Sequence, residues 1–163
     1  MKPDVSSVDE RRRQLIIRNE LFFTELLARI AEGKRPRIRP RGSSMLPFIR
    51  GGKDMVNLSA LTEDSLQVGR IVLAHIPQGY LVHRIERIDG DRFTLRGDGN
   101  REQREYCTRE QILAEVVEVQ RGKRSIRPGD RLWWCYEHLW TKSPFWRRWI
   151  LAVYRRTLLR WGL

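Results

Sequence analysis

The spacing of hydrophobic residues predicts one amphipathic helix near the beginning of the chain. Apolar positions recur every three or four residues from Leu15 to Ile30, and Gly33 is typical of the residue that follows a helix end. Ser7 and Glu10 match a capping box, in which each side chain binds a free backbone N–H at a helix start. We expect this helix to pack on the core of the protein, and a helix that binds a partner is the alternative.

Short strands are predicted in the middle of the chain, because runs rich in Val, Ile, Leu and Phe alternate there with turn residues. The predicted strands cover residues 55–60, 71–76, 80–88, 92–96 and 113–121. The Asp89-Gly90 turn predicts a hairpin between the third and the fourth of them. This regular spacing favours an antiparallel, partly closed sheet over βαβ units. The expected fold class is mainly β, with a β core flanked by an N-terminal and a C-terminal amphipathic helix.

A second amphipathic helix is predicted near the end of the chain. Ser143-Pro144 is a typical helix start, and the helix would run towards Arg160 with tryptophans gathered on one side and arginines on the other. Such a helix can lie on an anionic membrane surface or pack on the protein itself, and these two interpretations stay open. Nucleic acid ranks lowest as a partner, because the chain shows no DNA-reading helical motif.

Charge divides the chain into three parts. The 163 residues include 32 Lys and Arg against 20 Asp and Glu, a net charge of +12. Residues 42–122 are almost neutral, with 11 basic and 12 acidic side chains, whereas residues 123–163 carry 10 basic and 2 acidic ones. We therefore expect an N-terminal helical arm over residues 1–35, a β domain over 36–122, and a basic, Trp-rich helical arm over 123–163.

Several classes of protein are excluded by composition. The apolar stretches are too interrupted for a signal peptide or a membrane-spanning helix, so we expect a cytoplasmic protein with at most peripheral membrane contact. Two cysteines, Cys107 and Cys135, cannot form a disulfide framework and are expected to be reduced thiols. The three histidines have no metal-ligand spacing, so neither a metal nor another cofactor is expected.

The residues that could carry chemistry lie in the predicted β domain. A Gly/Pro loop at residues 41–49 presents a serine, which needs a base within hydrogen-bond reach to act as a nucleophile. His83 lies in a strand-like run, and Asp98 lies in a tight turn from which it could orient an imidazole. Lys53 is a rival base only nine residues from Ser44. The two remaining histidines are expected to be ordinary core or surface residues.

Taken together and in order, these segments resemble the signal peptidase I superfamily, which includes the self-cleaving LexA-type repressors. The matching segments, which span residues 36–122, are Gly42-Ser43-Ser44-Met45-Leu46-Pro47, Val68-Gly69-Arg70-Ile71-Val72, Val82-His83-Arg84-Ile85, Leu95-Arg96-Gly97-Asp98-Gly99-Asn100 and Glu115-Val116-Val117-Glu118-Val119. A histidine before an arginine is the pattern of the archaeal and endoplasmic-reticulum type, whereas the bacterial enzymes and the repressors use a lysine.

The resemblance implies a serine endopeptidase that processes a peptide or protein precursor. Ser44 would be the nucleophile, His83 the base and Asp98 the third member of the triad. Histidine-type enzymes carry a further acid a few residues after the Gly-Asp turn, where this chain has Glu102 and Glu105 as alternatives to Asp98. By the same resemblance, small side chains are expected before the cleaved bond.

The alternative hypothesis is a related domain that has lost catalysis. Its β-sheet cleft would bind an extended peptide without cutting it. Its basic arms would dock on a membrane or on a protein partner.

Overall fold

The computed structural model describes residues 19–100 and 102–139 and shows a mainly β protein whose antiparallel sheet curls into a half-barrel. Helix α1 covers residues 19–31. The strands are β1 (Arg37–Ile38), β2 (Met55–Ser59), β3 (Ile71–Ile76), β4 (Gly79–Asp89), β5 (Arg92–Arg96), β6 (Glu105–Thr108), β7 (Ile112–Arg121) and β8 (Arg124–Ile126). One-turn 3-10 helices lie at Glu63–Ser65 and Arg109–Gln111, and α2 (Arg131–Trp134) continues into a π-helical turn.

The sheet has the strand order β1-β2-β7-β3-β4-β5-β6, and β8 also pairs with β7. The prediction of a partly closed antiparallel sheet is confirmed. The predicted hairpin is present, because β4 and β5 pair up to Asp89 and Arg92 around Gly90. The three shortest strands, β1, β6 and β8, were not predicted.

Two hydrophobic clusters cover the two faces of β3. Ile71 and Leu73 belong to one cluster, while Val72, Ala74 and Ile76 belong to the other. Because successive side chains of a strand point to opposite faces, a strand buried on both faces needs an almost continuous apolar run. This explains the Ile-Val-Leu-Ala sequence of β3.

Helix α1 packs on the first of these clusters, as expected. Leu26 and Ile30 are its buried residues, one turn apart. Its end is a Schellman motif, in which the N–H of Lys34 donates to the carbonyl of Arg29 and the N–H of Gly33 to that of Ile30. Gly33 has the positive φ that this motif requires.

Residues after 122 also contribute to the packed unit. β8 pairs with β7, and the buried Trp133 ring lies edge-on to Phe48 at 5.4 Å between centroids. β8 and Trp133 therefore pack against parts of the predicted β domain. The capping box at Ser7 and the helix predicted from Ser143 lie outside the described residues. Within the described ranges, no helix has the length and apolar character needed to cross a bilayer.

Candidate functional site

The serine loop, residues 42–49, packs against a tight turn, residues 97–100. The N–H of Gly99 donates to the carbonyl of Ser44 at 2.7 Å. A Cβ on Gly97 would lie 2.4 Å from the same carbonyl oxygen, so only glycine allows this approach. The turn predicted around Asp98 therefore supports the serine loop through its backbone.

A buried carboxylate fixes the other end of the serine loop. Asp54 accepts hydrogen bonds from the guanidinium groups of Arg50 and Arg121, and Arg121 also donates to the carbonyl of Phe48 at 2.8 Å. Burial raises the pKa of Asp54, but the hydrogen bonds from the two arginines outweigh burial, so its pKa lies below the ordinary value. This ion-pair cluster ties the loop to β7.

His83 lies on β4, one residue before the part of β4 that pairs with β5. That pairing begins at Arg84, which lies opposite Arg96. His83 is buried and lies beside the chain segment that returns from β5 to β6. Its Nδ1 lies 2.8 Å from Oε2 of Glu105, the first residue of β6.

The structure therefore corrects the preference for Asp98 as the residue that orients the imidazole, because Glu105 makes the hydrogen bond to His83. Asp98 instead accepts two hydrogen bonds of 2.8 Å, from Nε and Nη2 of Arg84. Nη1 of Arg84 donates to the carbonyl of Gly69. Asp98 still affects His83 through its charge. Glu102, the other alternative, is exposed.

The protonation of His83 is governed by burial. Burial lowers its pKa, and the carboxylate of Glu105 raises it in part, so that the pKa stays below the ordinary value of 6.5. The ring is thus neutral at pH 7. In that state the Nδ1–H donates to Glu105, and Nε2 carries the lone pair. Among the described residues Nε2 has no hydrogen-bond partner, so it is available to accept a proton.

Ser44, His83 and Glu105 line the same open cavity of about 720 Å³, the first cavity. No hydrogen bond within the described chain joins Ser44 to His83. The first cavity also borders residues 79–81, where β4 pairs with β3 on one side and has no strand of the described sheet on the other. An extended peptide could add to this free edge.

The remaining candidate residues lie elsewhere. Lys53 is exposed and lines neither this cavity nor its neighbour. His75 and His138 are exposed and stack on Tyr80 and Trp134, respectively. Among the described residues, no group of three or more His, Cys, Asp or Glu could hold a metal ion.

Both thiols are unpaired. Cys107 is buried, and burial raises the pKa of its thiol to about 11, whereas Cys135 is exposed. Neither thiol lines the first cavity.

Glu105 was expected only as an alternative to Asp98, because β6 was not predicted. That strand has one buried side chain, Cys107, and therefore little hydrophobic pattern. The spacing of Glu105 from the Gly-Asp turn was the available signal.

A scan against protein-family models and a search of curated proteins found no match to this chain.

Proposed function

We propose that this protein is a serine endopeptidase of the signal-peptidase-like type that cleaves a peptide or protein precursor. The observation that carries the proposal is the buried His83–Glu105 pair beside a cavity that Ser44 also lines. A base that is held by a carboxylate, in a cavity that a serine also lines, is an arrangement that fits acyl transfer to serine.

In the proposed reaction, Nε2 of neutral His83 takes the proton of the Ser44 hydroxyl as Oγ forms a bond to the peptide carbonyl carbon. Glu105 holds the Nδ1–H and stabilises the imidazolium that forms. The proton then passes to the leaving nitrogen as the C–N bond breaks. Water, activated by the same imidazole, hydrolyses the ester and restores Ser44.

The charge that develops on the carbonyl oxygen needs hydrogen-bond donors. The backbone N–H groups of Ser44 and Met45 have no acceptor among the described residues, and they are the proposed donors to the substrate oxygen. The serine loop that carries them is held by the tight turn at residues 97–100 and by the ion pairs of Asp54 with Arg50 and Arg121. These donors therefore need little reorganisation during the reaction.

The test is cleavage of a proteome-derived peptide library, read by mass spectrometry. The Ser44→Ala and His83→Ala variants should lose cleavage by at least about a thousandfold. Ser43→Ala is the matched control, because Ser43 lies in the same loop, is exposed and should keep the activity. Cleavage that survives in Ser44→Ala would refute the proposal.

The second candidate function is a peptide-binding module, which is favoured by the lack of a hydrogen bond between Ser44 and His83 in the described structure. Under this interpretation the wild-type chain binds library peptides and leaves them intact over hours. Its proposed docking through the basic arms, residues 1–35 and 123–163, depends in large part on residues 1–18 and 140–163, which lie outside the described residues.

A further inference from the structure

A second cavity, of about 700 Å³, continues from the first cavity along the free edge of β4. Gly42, Ser44, Tyr80 and Leu81 line both cavities. The two cavities therefore adjoin at Ser44 and at this edge of β4. A peptide bound along β4 across Ser44 would place side chains in the second cavity.

Helix α1 forms one wall of the second cavity. Phe22 and Phe23 line it, and their rings lie edge to face at 5.2 Å between centroids. Phe23 also stacks on Tyr80 at 3.7 Å, and this contact fixes the helix against β4. The wall is thus attached to the same strand that carries His83.

The opposite wall of the second cavity comes from the core. Its apolar lining residues there are Ile38, Met45, Ile49, Leu73 and Val82. Phe22 also lines this cavity and is 49% exposed, although it is a large aromatic residue. Exposed aromatic surface in such a cavity is typical of a ligand site, because a bound apolar group would cover it.

The charge around the second cavity is one-sided. Arg39 and Arg41 are exposed and line it, and no Asp or Glu of the described chain does so. A substrate with basic side chains at this site would be repelled, whereas one with neutral or acidic neighbours would not.

From this geometry we infer that the second cavity is a specificity subsite for a large apolar side chain, Phe, Leu or Met, of an extended peptide, and that Phe22 of helix α1 is its specificity-determining residue. This inference rests on the proposed function and changes its expected substrate, because the resemblance implies small side chains near the cleaved bond. The volume and the aromatic wall fit larger ones.

The test separates binding from cleavage. The full chain with Ser44→Ala is immobilised and selected against a random peptide display library. We expect enrichment of peptides that carry Phe, Leu or Met and few basic residues. Adding Phe22→Ala should weaken binding of the enriched peptides about tenfold, the loss expected for removing an aromatic contact. Leu21→Ala is the matched control, because Leu21 is exposed on the same helix and does not line the cavity.

The outcomes distinguish the two proposals. If enrichment of large apolar residues is missing, or if it survives Phe22→Ala unchanged, the subsite is refuted even where wild-type protein cuts peptides. If binding depends on Phe22 but wild-type protein leaves the same peptides intact, the subsite stands and the peptidase proposal falls. Equal melting temperatures of the Phe22→Ala and Leu21→Ala variants would show that lost binding does not come from unfolding.

Discussion

Replacing Glu105 by Gln removes one charge from the His83 pair while keeping its shape and an acceptor oxygen. The two side chains are 6% and 11% exposed, and the atoms that pair lie 2.8 Å apart. Hydrogen bonds to charged groups contribute about 1.5–3 kcal/mol. Loss of this stabilisation when His83 becomes an imidazolium should lower kcat/KM by about 10- to 150-fold.

The same substitution should move the titration of His83 in a defined direction. Burial lowers the pKa of His83, and Glu105 opposes burial. Without the carboxylate, burial is opposed mainly by the charge of Asp98, so the pKa of His83 should fall further in Glu105→Gln. In the wild type, the rate should rise with pH through an apparent pKa below 6.5 and level off at neutral pH.

NMR titration of the His83 ring measures this pKa without any substrate, and the chain has only two other histidines to assign. Glu102→Gln is the matched control, since Glu102 is exposed and makes no hydrogen bond to His83. A pKa that rises or stays constant in Glu105→Gln would refute our account of the pair. A larger decrease in the pKa of His83 in Asp98→Asn than in Glu105→Gln would also refute it, because Asp98 would then be the acid that acts most strongly on His83.

Three further predictions concern groups around the site. Asp54→Asn breaks a buried ion-pair cluster and should lower the free energy of unfolding by about 3 kcal/mol, or Tm by about 6–12 °C. Asp91 is exposed, so Asp91→Asn is the control and should change Tm little. Equal Tm values of the two variants would contradict the role of the cluster. The depressed pKa of Asp54 means that its contribution is present above the ordinary pKa of 3.8 and is lost as the pH falls through the lower folded value, which acid melts can follow. Gly97→Ala forces the serine loop to shift and should lower both cleavage and Tm. At pH 7.5 iodoacetamide should label Cys135 and spare Cys107, whose pKa is about 11; rapid labelling of both in folded protein would be the contrary result.

How far the fold could be predicted depended on how strongly each strand carries its own hydrophobic pattern. The strands Ile71–Ile76 and Arg92–Arg96 were predicted at their observed bounds, because their apolar residues enter the core in regular order. Arg37–Ile38 and Arg124–Ile126 contribute one buried residue each. Such strands are stabilised by backbone pairing with a neighbour, which leaves little trace in the local sequence.

The candidate site shows the same limit at the level of single side chains. Ser44 and His83 were identified by motif order, and both line the first cavity. The choice among the acids depended on the register between β5 and β6, in which Leu95 pairs with Glu105. It also depended on Arg84, whose guanidinium binds Asp98 through two buried hydrogen bonds. Both are properties of the folded sheet, so the sequence could only supply a set of three acids.

The contacts around the serine loop explain why its motifs are individually weak. Ser44 is positioned by a glycine turn about fifty residues later, and Phe48 by Arg121 near the end of β7. Arg84 lies over the Phe48 ring at 5.3 Å and, through Asp98, also holds the glycine turn. Each contact uses common residue types, and only their convergence is unusual. Substitutions at these supporting positions should therefore displace the loop as a unit and combine non-additively, because each of them removes part of one shared geometry.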